Sequence, residues 1–106
     1  MFFELRQYRI LPGKRDEWVT FMEERIIPGQ FAHRVVIVGS FMGQEDDDLY
    51  VWLRRFESEE HFAAFNETYY GSDEWTTELE PRVQQMLDFS SLVVTRLAAT
   101  PLSVIQ

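Results

Sequence analysis

The sequence predicts an α+β domain in which four antiparallel strands form one sheet and the helices lie on a single face of it. Two patterns predict this fold class. Side chains alternate with a period of two in four segments, as in strands, and apolar residues recur three and four positions apart between them, as in helices. The stretch from Leu49 to Phe65 contains both patterns, because an alternating strand changes into a helix after Ser58. The order of elements is therefore β-α-β-β-α-β, and 106 residues give one domain.

Each predicted element has a sequence signal near its ends. In chain order we expect a strand over 2–10, a helix over 14–27, a strand within 31–43, a strand over 49–56, a helix over 59–70, a short helix beginning at 73 and a strand over 91–98. Pro28 and Gly29 are expected to end the first helix. The β-branched run 35–38 predicts a strand buried on both faces. Ser58 is the predicted N-cap of the second helix, and Pro81 is expected to kink the third or to begin a new turn.

The composition restricts the partners and the chemistry. Ten basic against 18 acidic residues give a net charge of −8, which disfavours nucleic acid and anionic membrane surfaces as partners. The absence of cysteine excludes disulfides, thiolate catalysis and cysteine-bound metal. Glu4 interrupts the apolar N-terminus, and no apolar run approaches the ~20 residues of a membrane span. We therefore expect a cytoplasmic protein without a signal peptide or membrane insertion.

The two faces of the predicted sheet indicate a second subunit. On the first and third strands one face is mainly aliphatic, while the other carries Tyr8, Tyr50 and Trp52. Two helices can cover only one side of a four-stranded sheet, so the aromatic face is expected to need a partner. We predict a homodimer that buries this face in a closed or nearly closed two-sheet barrel. Residues 99–106 form a predicted C-terminal tail, for which the partner subunit is one packing surface.

Four segments of the chain have a familiar order and spacing. They are FELRQYRILPGK at 3–14, VGSF at 38–41, YVWLRRF at 50–56 and VTRL at 94–97. Together they resemble the bacterial branch of the NIPSNAP family over nearly the whole chain. The resemblance implies a dimeric α+β barrel of ferredoxin-like subunits. It implies no particular activity, because the wider superfamily includes cofactor-free monooxygenases, haem-degrading oxygenases, muconolactone isomerases and chlorite dismutases. Haem degradation is disfavoured, since Gln7 and Tyr8 stand where those relatives carry an asparagine.

Two arginines share the aromatic face of the predicted strands. Arg6 and Arg54 lie on the same face as Glu4, and the favoured interpretation is a buried or rim ion pair of one of them with this carboxylate at the dimer interface. The alternative is a guanidinium that holds a carboxylate, phenolate or enolate in a pocket with aromatic walls. The candidate ligand-binding residues are therefore Arg6, Tyr8, Tyr50, Trp52 and Arg54. The pocket could lie beside the aromatic face, or between the helices and the sheet as in many enzymes of the superfamily.

No convincing catalytic group is evident. The sequence has no Ser-His-Asp order, phosphate loop or metal-ligand spacing, so we expect no metal and no tightly held cofactor. Neither His33 nor His61 has a flanking acidic residue at a spacing that forces contact, and the acidic residues 45–48 are expected to form a solvated turn. We therefore predict a protein that binds a small apolar or aromatic ligand, with an anionic group as one option. The alternative is a cofactor-independent monooxygenase or isomerase that acts on an aromatic or polyketide-like compound.

Overall fold

The computed structural model describes residues 1–106 and consists of one four-stranded sheet and three helices. The strands are β1 (Phe2–Ile10), β2 (Val36–Met42), β3 (Leu49–Phe56) and β4 (Leu87–Leu97). They pair antiparallel in the order β2-β3-β1-β4, and this confirms the predicted α+β, ferredoxin-like fold. The helices are α1 (15–31), α2 (59–70) and α3 (73–86). None of them is long and apolar enough to cross a lipid bilayer.

Helices α1 and α3 both continue through a proline. The segments of α1 are Arg15–Phe21, the π-helical Met22–Ile26, and Ile27–Phe31. Directly before Pro28, the N–H of Ile27 donates to the carbonyl of Met22, five residues back. The residue before Pro81 in α3 forms the same kind of hydrogen bond. The prediction that Pro28 and the following glycine end the first helix is therefore wrong, because the wider π turn accommodates a residue that has no N–H of its own.

Because α1 extends to Phe31, β2 begins only at Val36. A short turn connects the two, and in it Arg34 adopts a left-handed backbone conformation with a φ of 61°. β2 is an edge strand of the sheet, and Val36 is exposed. The prediction that residues 35–38 are buried on both faces is therefore wrong. A run of β-branched residues indicates extended structure, but it does not indicate whether the strand lies at the edge or in the centre of its sheet.

The change from strand to helix predicted within 49–65 is present. β3 ends at Phe56, and the Oγ atom of Ser58 accepts the backbone N–H of His61 at 3.0 Å. This hydrogen bond satisfies one of the free donors at the start of α2, as expected for an N-cap serine. The local sequence therefore determines where β3 ends and where α2 begins.

The helices lie over the aromatic face of the sheet. Tyr50, Trp52 and Arg54 are at most 2% exposed. The Trp18 ring of α1 lies edge-on to Tyr8 and Tyr50, at centroid distances of 6.1 and 5.7 Å. The prediction that a second subunit covers this face is therefore wrong. Large rings from the sheet and from the helices instead fill one core of 17 buried residues.

The opposite side of the sheet, called the open face here, carries no helix. Leu5 of β1 lies beside Leu53 of β3, and Val51 of β3 lies beside Phe41 of β2. Val93 of β4 completes this apolar surface and is exposed. The predicted homodimer stays a prediction, and the surface available for it is the open face and not the aromatic one.

The C-terminal tail, residues 98–106, folds back over one end of the open face. Arg55 donates a hydrogen bond to the backbone carbonyl of Gln106 at 2.8 Å, and Phe3 is buried beside the tail. A groove of about 290 Å³ separates the tail from the sheet. Leu102 and Val104 are almost fully exposed. The tail thus packs on its own sheet, and its packing on a partner subunit stays a prediction.

Removal of the α2 N-cap should destabilise the domain measurably. Ser58→Ala leaves the backbone N–H of His61 without its acceptor, and we expect the free energy of unfolding to fall by about 1 kcal/mol. Ser58→Asp keeps an oxygen acceptor at the helix N-terminus and should retain most of the wild-type stability. Urea unfolding followed by circular dichroism measures both variants. An alanine variant as stable as the wild type would show that the cap contributes nothing.

Candidate ligand-binding site

Three charged residues converge beneath the helices. In the register of β1 and β3, Glu4 lies opposite Arg54, and Arg6 follows Glu4 by two residues on the same face. Glu4 Oε1 therefore accepts hydrogen bonds from both arginines, from Arg6 Nη1 at 3.1 Å and from Arg54 Nη2. The predicted ion pair is present, and both candidate arginines take part in it. Its predicted location at a dimer interface is wrong, because it lies beneath the helices of its own chain.

Arg54 joins the sheet to two helices. Its side chain is completely buried, and its Nη1 atom donates to Gln30 Oε1 of α1 at 3.0 Å and to the Tyr70 hydroxyl of α2 at 3.1 Å. The guanidinium also lies 4.9 Å from the centroid of the Trp52 ring. These contacts hold Arg54 in place as a structural residue.

The carboxylate of Glu4 stays ionised although it is buried. Burial alone would raise the pKa of Glu4, but the charges and hydrogen bonds of Arg54 and Arg6 outweigh it and lower the pKa below the usual value. One carboxylate against two guanidiniums leaves the cluster with one positive charge in excess. An anionic group placed next to the cluster would therefore be stabilised.

Tyr8 accepts two hydrogen bonds at its phenolic oxygen. Arg6 Nε donates to it at 2.8 Å and Trp52 Nε1 donates at 3.0 Å. Burial raises the pKa of Tyr8, although Arg6 acts in the opposite direction, so the hydroxyl is protonated at neutral pH. Both lone pairs of the oxygen are occupied, and its hydrogen has no acceptor within the protein.

A cavity of about 60 Å³ lies between the sheet and all three helices. Its lining includes Arg6, Tyr8 and Trp52 from the sheet and Trp18, Tyr70 and Trp75 from the helices. The rest of the lining is apolar, and no carboxylate, amide or imidazole side chain borders the cavity. Sites that enclose drug-sized ligands measure roughly 300–1,000 Å³, so this cavity is sized for one small ring or for one end of a longer molecule.

A β-bulge in β4 forms the rim of the cavity. The pairing of β1 with β4 shifts between Gln7 and Arg9, so residues 89–92 leave the regular register. Phe89 and Leu92 from this bulge line the cavity, and Phe89 is half exposed. The cavity therefore reaches the protein surface at this edge of the sheet.

Three of the five predicted ligand-binding residues border the cavity. They are Arg6, Tyr8 and Trp52, whereas Tyr50 and Arg54 do not line it. Tyr50 stacks on Tyr8 with the ring centroids 6.1 Å apart, and so supports the wall from behind. The role of these residues in ligand binding stays a prediction.

Trp18, Tyr70 and Trp75 are not among the ligand-binding residues predicted from the sequence, although all three line the cavity. Trp18 belongs to the apolar stripe of α1, and a helical pattern does not distinguish a core residue from a cavity wall. The indole N–H of Trp18 is buried and has no hydrogen-bond partner. This unpaired N–H can be recognised only in the three-dimensional structure, because no sequence pattern indicates it.

The two histidines have structural contacts. His61 Nδ1 accepts the backbone N–H of Glu57 at 3.1 Å, and His61 Nε2 is 2.8 Å from the carbonyl oxygen of His33. No group of three or more His, Asp or Glu side chains is placed to hold a metal ion. The acidic loop 45–48 instead forms ion pairs with two arginines.

A four-stranded antiparallel sheet in this order, with its helices on one face, defines a ferredoxin-like α+β domain. The cavity between these layers is the candidate site of that domain. The family model described as NIPSNAP matches residues 3–101, so the chain belongs to the NIPSNAP family. The resemblance noted in the sequence is thereby confirmed.

Solved structures share the fold. A NIPSNAP family protein of unknown function from Agrobacterium tumefaciens has a TM-score of 0.86 and 20% identity, over 100% of this chain and 94% of that one. An uncharacterised NIPSNAP domain protein from Burkholderia xenovorans has a TM-score of 0.82 and 19% identity, over 97% and 98%. An antibiotic biosynthesis monooxygenase has a TM-score of 0.70 and 16% identity, over 95% and 100%. No curated protein matches the chain. Likeness at these identities establishes the fold and not the activity.

Loss of the Glu4 charge should destabilise the fold in a pH-dependent way. Glu4→Gln leaves the fully buried guanidinium of Arg54 and the partly buried guanidinium of Arg6 without a counter-charge, so we expect the free energy of unfolding at neutral pH to fall by about 3 kcal/mol. The pKa of Glu4 is lowered in the folded state, so the wild-type advantage is fully present above the unfolded value of 4.5. This stability advantage is lost as the pH falls below 4.5 and through the lower pKa that Glu4 has in the folded protein. Urea unfolding at a series of pH values measures the difference.

Glu59→Gln is the control, because Glu59 forms an exposed ion pair with Arg96. Its cost should stay below about 0.5 kcal/mol. A Glu4→Gln effect that does not change between neutral and acidic pH would contradict the ionised state assigned to Glu4.

Proposed function

We propose that the protein binds a small apolar or aromatic molecule in the cavity between the helices and the sheet. The observation that carries the proposal is an aromatic cavity bordered by the Arg6 guanidinium, which belongs to a cluster with an excess positive charge. Small-molecule sites in proteins are commonly concave and mostly apolar, with a few polar groups that fix orientation. A ligand with a carboxylate, phenolate or enolate oxygen suits this combination best.

Arg6 is the arginine available to such a ligand. Its Nε and Nη1 atoms are engaged by Tyr8 and Glu4, whereas its Nη2 atom has no acceptor within the protein. The side chain is 19% exposed, while that of Arg54 is fully buried. Arg6 can therefore donate a hydrogen bond from Nη2 to an oxygen of the ligand while it keeps its hydrogen bonds to Tyr8 and Glu4.

The size of the cavity limits the ligand. The enclosed part measures about 60 Å³ and can therefore take at most a single ring, so any longer portion would leave past Phe89 and Leu92 at the rim. The predicted polyketide-like compounds would place only one end inside. The cavity favours a monocyclic compound or a ligand with one terminal ring.

Binding without catalysis is favoured by the chemistry of the lining. Arg6, Tyr8 and Tyr70 are the titratable residues that border the cavity, and the lining contains no carboxylate or imidazole that would act as a general base. The second candidate is a cofactor-independent monooxygenase or isomerase, supported by the shared fold with an antibiotic biosynthesis monooxygenase. Turnover of a phenolic or quinol substrate that requires Tyr8 would favour this candidate over a binding protein.

We further propose a homodimer in which the open faces of two sheets pack against each other. Apolar residues such as Phe41, Val51 and Leu53 lie on this face, and the helices of the same chain are all on the other side. Across a twofold axis, the same apolar surface of each subunit packs against that of the other, so the assembly stops at a dimer. Dimerisation and ligand binding then use opposite faces of one sheet.

Two phenylalanines provide a matched test of the dimer. Phe41 is 59% exposed on the open face, and Phe31 is 57% exposed at the end of α1. Phe41→Asp should raise the dimer dissociation constant at least about 100-fold, because two symmetric copies of a buried ring are lost. Phe31→Asp should leave it unchanged. Sedimentation velocity at micromolar concentration measures both, and a compact wild-type monomer would contradict the proposed assembly.

Two variants in β4 provide a matched test of the cavity. Leu92→Trp adds a large ring where β4 lines the cavity, whereas Val93→Trp adds the same ring at the next residue, which lies opposite Gln7 on the open face. We expect benzoate to bind the wild type and Val93→Trp alike, and Leu92→Trp at least about tenfold more weakly. Titrations followed by ¹H–¹⁵N NMR measure the three affinities. Equal binding to both variants would place the ligand elsewhere, for example in the groove beneath the tail.

A further inference from the structure

We infer that the ligand is held through a hydrogen-bond acceptor, such as a carbonyl, phenolate or carboxylate oxygen, and that the indole N–H of Trp18 selects it. This rests on the proposed binding of a small molecule in the cavity, and it adds the class of ligand and the residue that distinguishes it. Trp18 is 2% exposed, lines the cavity, and its Nε1 atom has no hydrogen-bond partner. A buried N–H without a partner costs free energy, which an acceptor in the cavity would recover.

The other two tryptophans at the cavity differ from Trp18. Trp52 Nε1 donates to the Tyr8 hydroxyl at 3.0 Å, and Trp75 Nε1 donates to Glu80 Oε2 at 3.2 Å. Both of these indoles are therefore satisfied within the protein. Trp18 alone among the three has a donor free for a ligand.

Tyr8 supplies a second donor to the same cavity. Its oxygen already accepts from Arg6 and Trp52, so its own hydrogen must be donated, and the protein contains no acceptor for it. With the free Nη2 atom of Arg6, three residues that line one cavity each carry a donor without an acceptor in the protein, and the lining has no carboxylate, amide or imidazole. The site therefore suits an aromatic carbonyl compound or an aromatic anion, and it rejects a ligand whose polar group can only donate.

A pair of isosteric neutral probes tests this selection. Acetophenone carries a carbonyl oxygen where α-methylstyrene carries a methylene group, so the two differ mainly in the acceptor. We expect wild-type protein to bind acetophenone about tenfold more tightly than α-methylstyrene. Acetophenone, and not α-methylstyrene, should move the indole proton resonance of Trp18 downfield. That resonance is assigned in the wild-type protein from its nuclear Overhauser contacts to the rings of Tyr8 and Tyr50, against which Trp18 packs edge-on.

Trp18→Phe should bring the ratio of the two affinities close to one. Trp75→Phe is the matched control, because it removes an indole N–H that is already bonded to Glu80, and it should keep the wild-type ratio. If both probes bind the wild type equally, or if the ratio survives in Trp18→Phe, the assignment of Trp18 is overturned while binding in the cavity stands. If neither probe binds the wild type, the proposed function and the inference are both overturned. The resonance shift needs no variant, so it decides the matter even if Trp18→Phe fails to fold.

Discussion

The buried ion pair between Glu4 and Arg54 is the interaction on which the rest of the structure depends. Burying either charge alone would cost several kcal/mol, so the central strands β1 and β3 must keep the register that places the two residues side by side. The same guanidinium donates to Gln30 in α1 and Tyr70 in α2. One side chain therefore fixes strand pairing and also the position of two helices over the sheet.

The geometry of the cavity follows from that pair. Glu4 also holds Arg6, and Arg6 holds the hydroxyl of Tyr8, so the polar wall of the cavity is positioned residue by residue along β1. The helices that enclose the cavity all lie on one side of the sheet, and the other side is covered only at one end, by the C-terminal tail. A ligand in the cavity and a second subunit on the open face would thus be separated by the thickness of the sheet. A substitution at Arg6 or Tyr8 would therefore affect the proposed dimerisation only indirectly, by moving the backbone of the sheet.

The sequence predicts the order of elements and which side chains share a face, because the period of two along β1 and β3 places Glu4, Arg6 and Arg54 together. It does not predict which face the helices cover. Both faces of these strands are apolar or aromatic, and the alternation along a strand shows only which residues share a face, not what covers that face. The passage of α1 through Pro28 was also beyond prediction, because a π turn leaves no simple sequence signal. The unpartnered N–H of Trp18 depends on every side chain around it, so no pattern along α1 reveals it.

The position of a heavy-atom ligand tests the assignment of the cavity most directly. Crystals soaked with bromobenzene would locate the bromine by its anomalous scattering. We predict a peak in the cavity between the helices and the sheet, beside Tyr8 and Trp18. A peak confined to the groove between the C-terminal tail and Phe3, or to the open face, would contradict the assignment of this cavity as the ligand site.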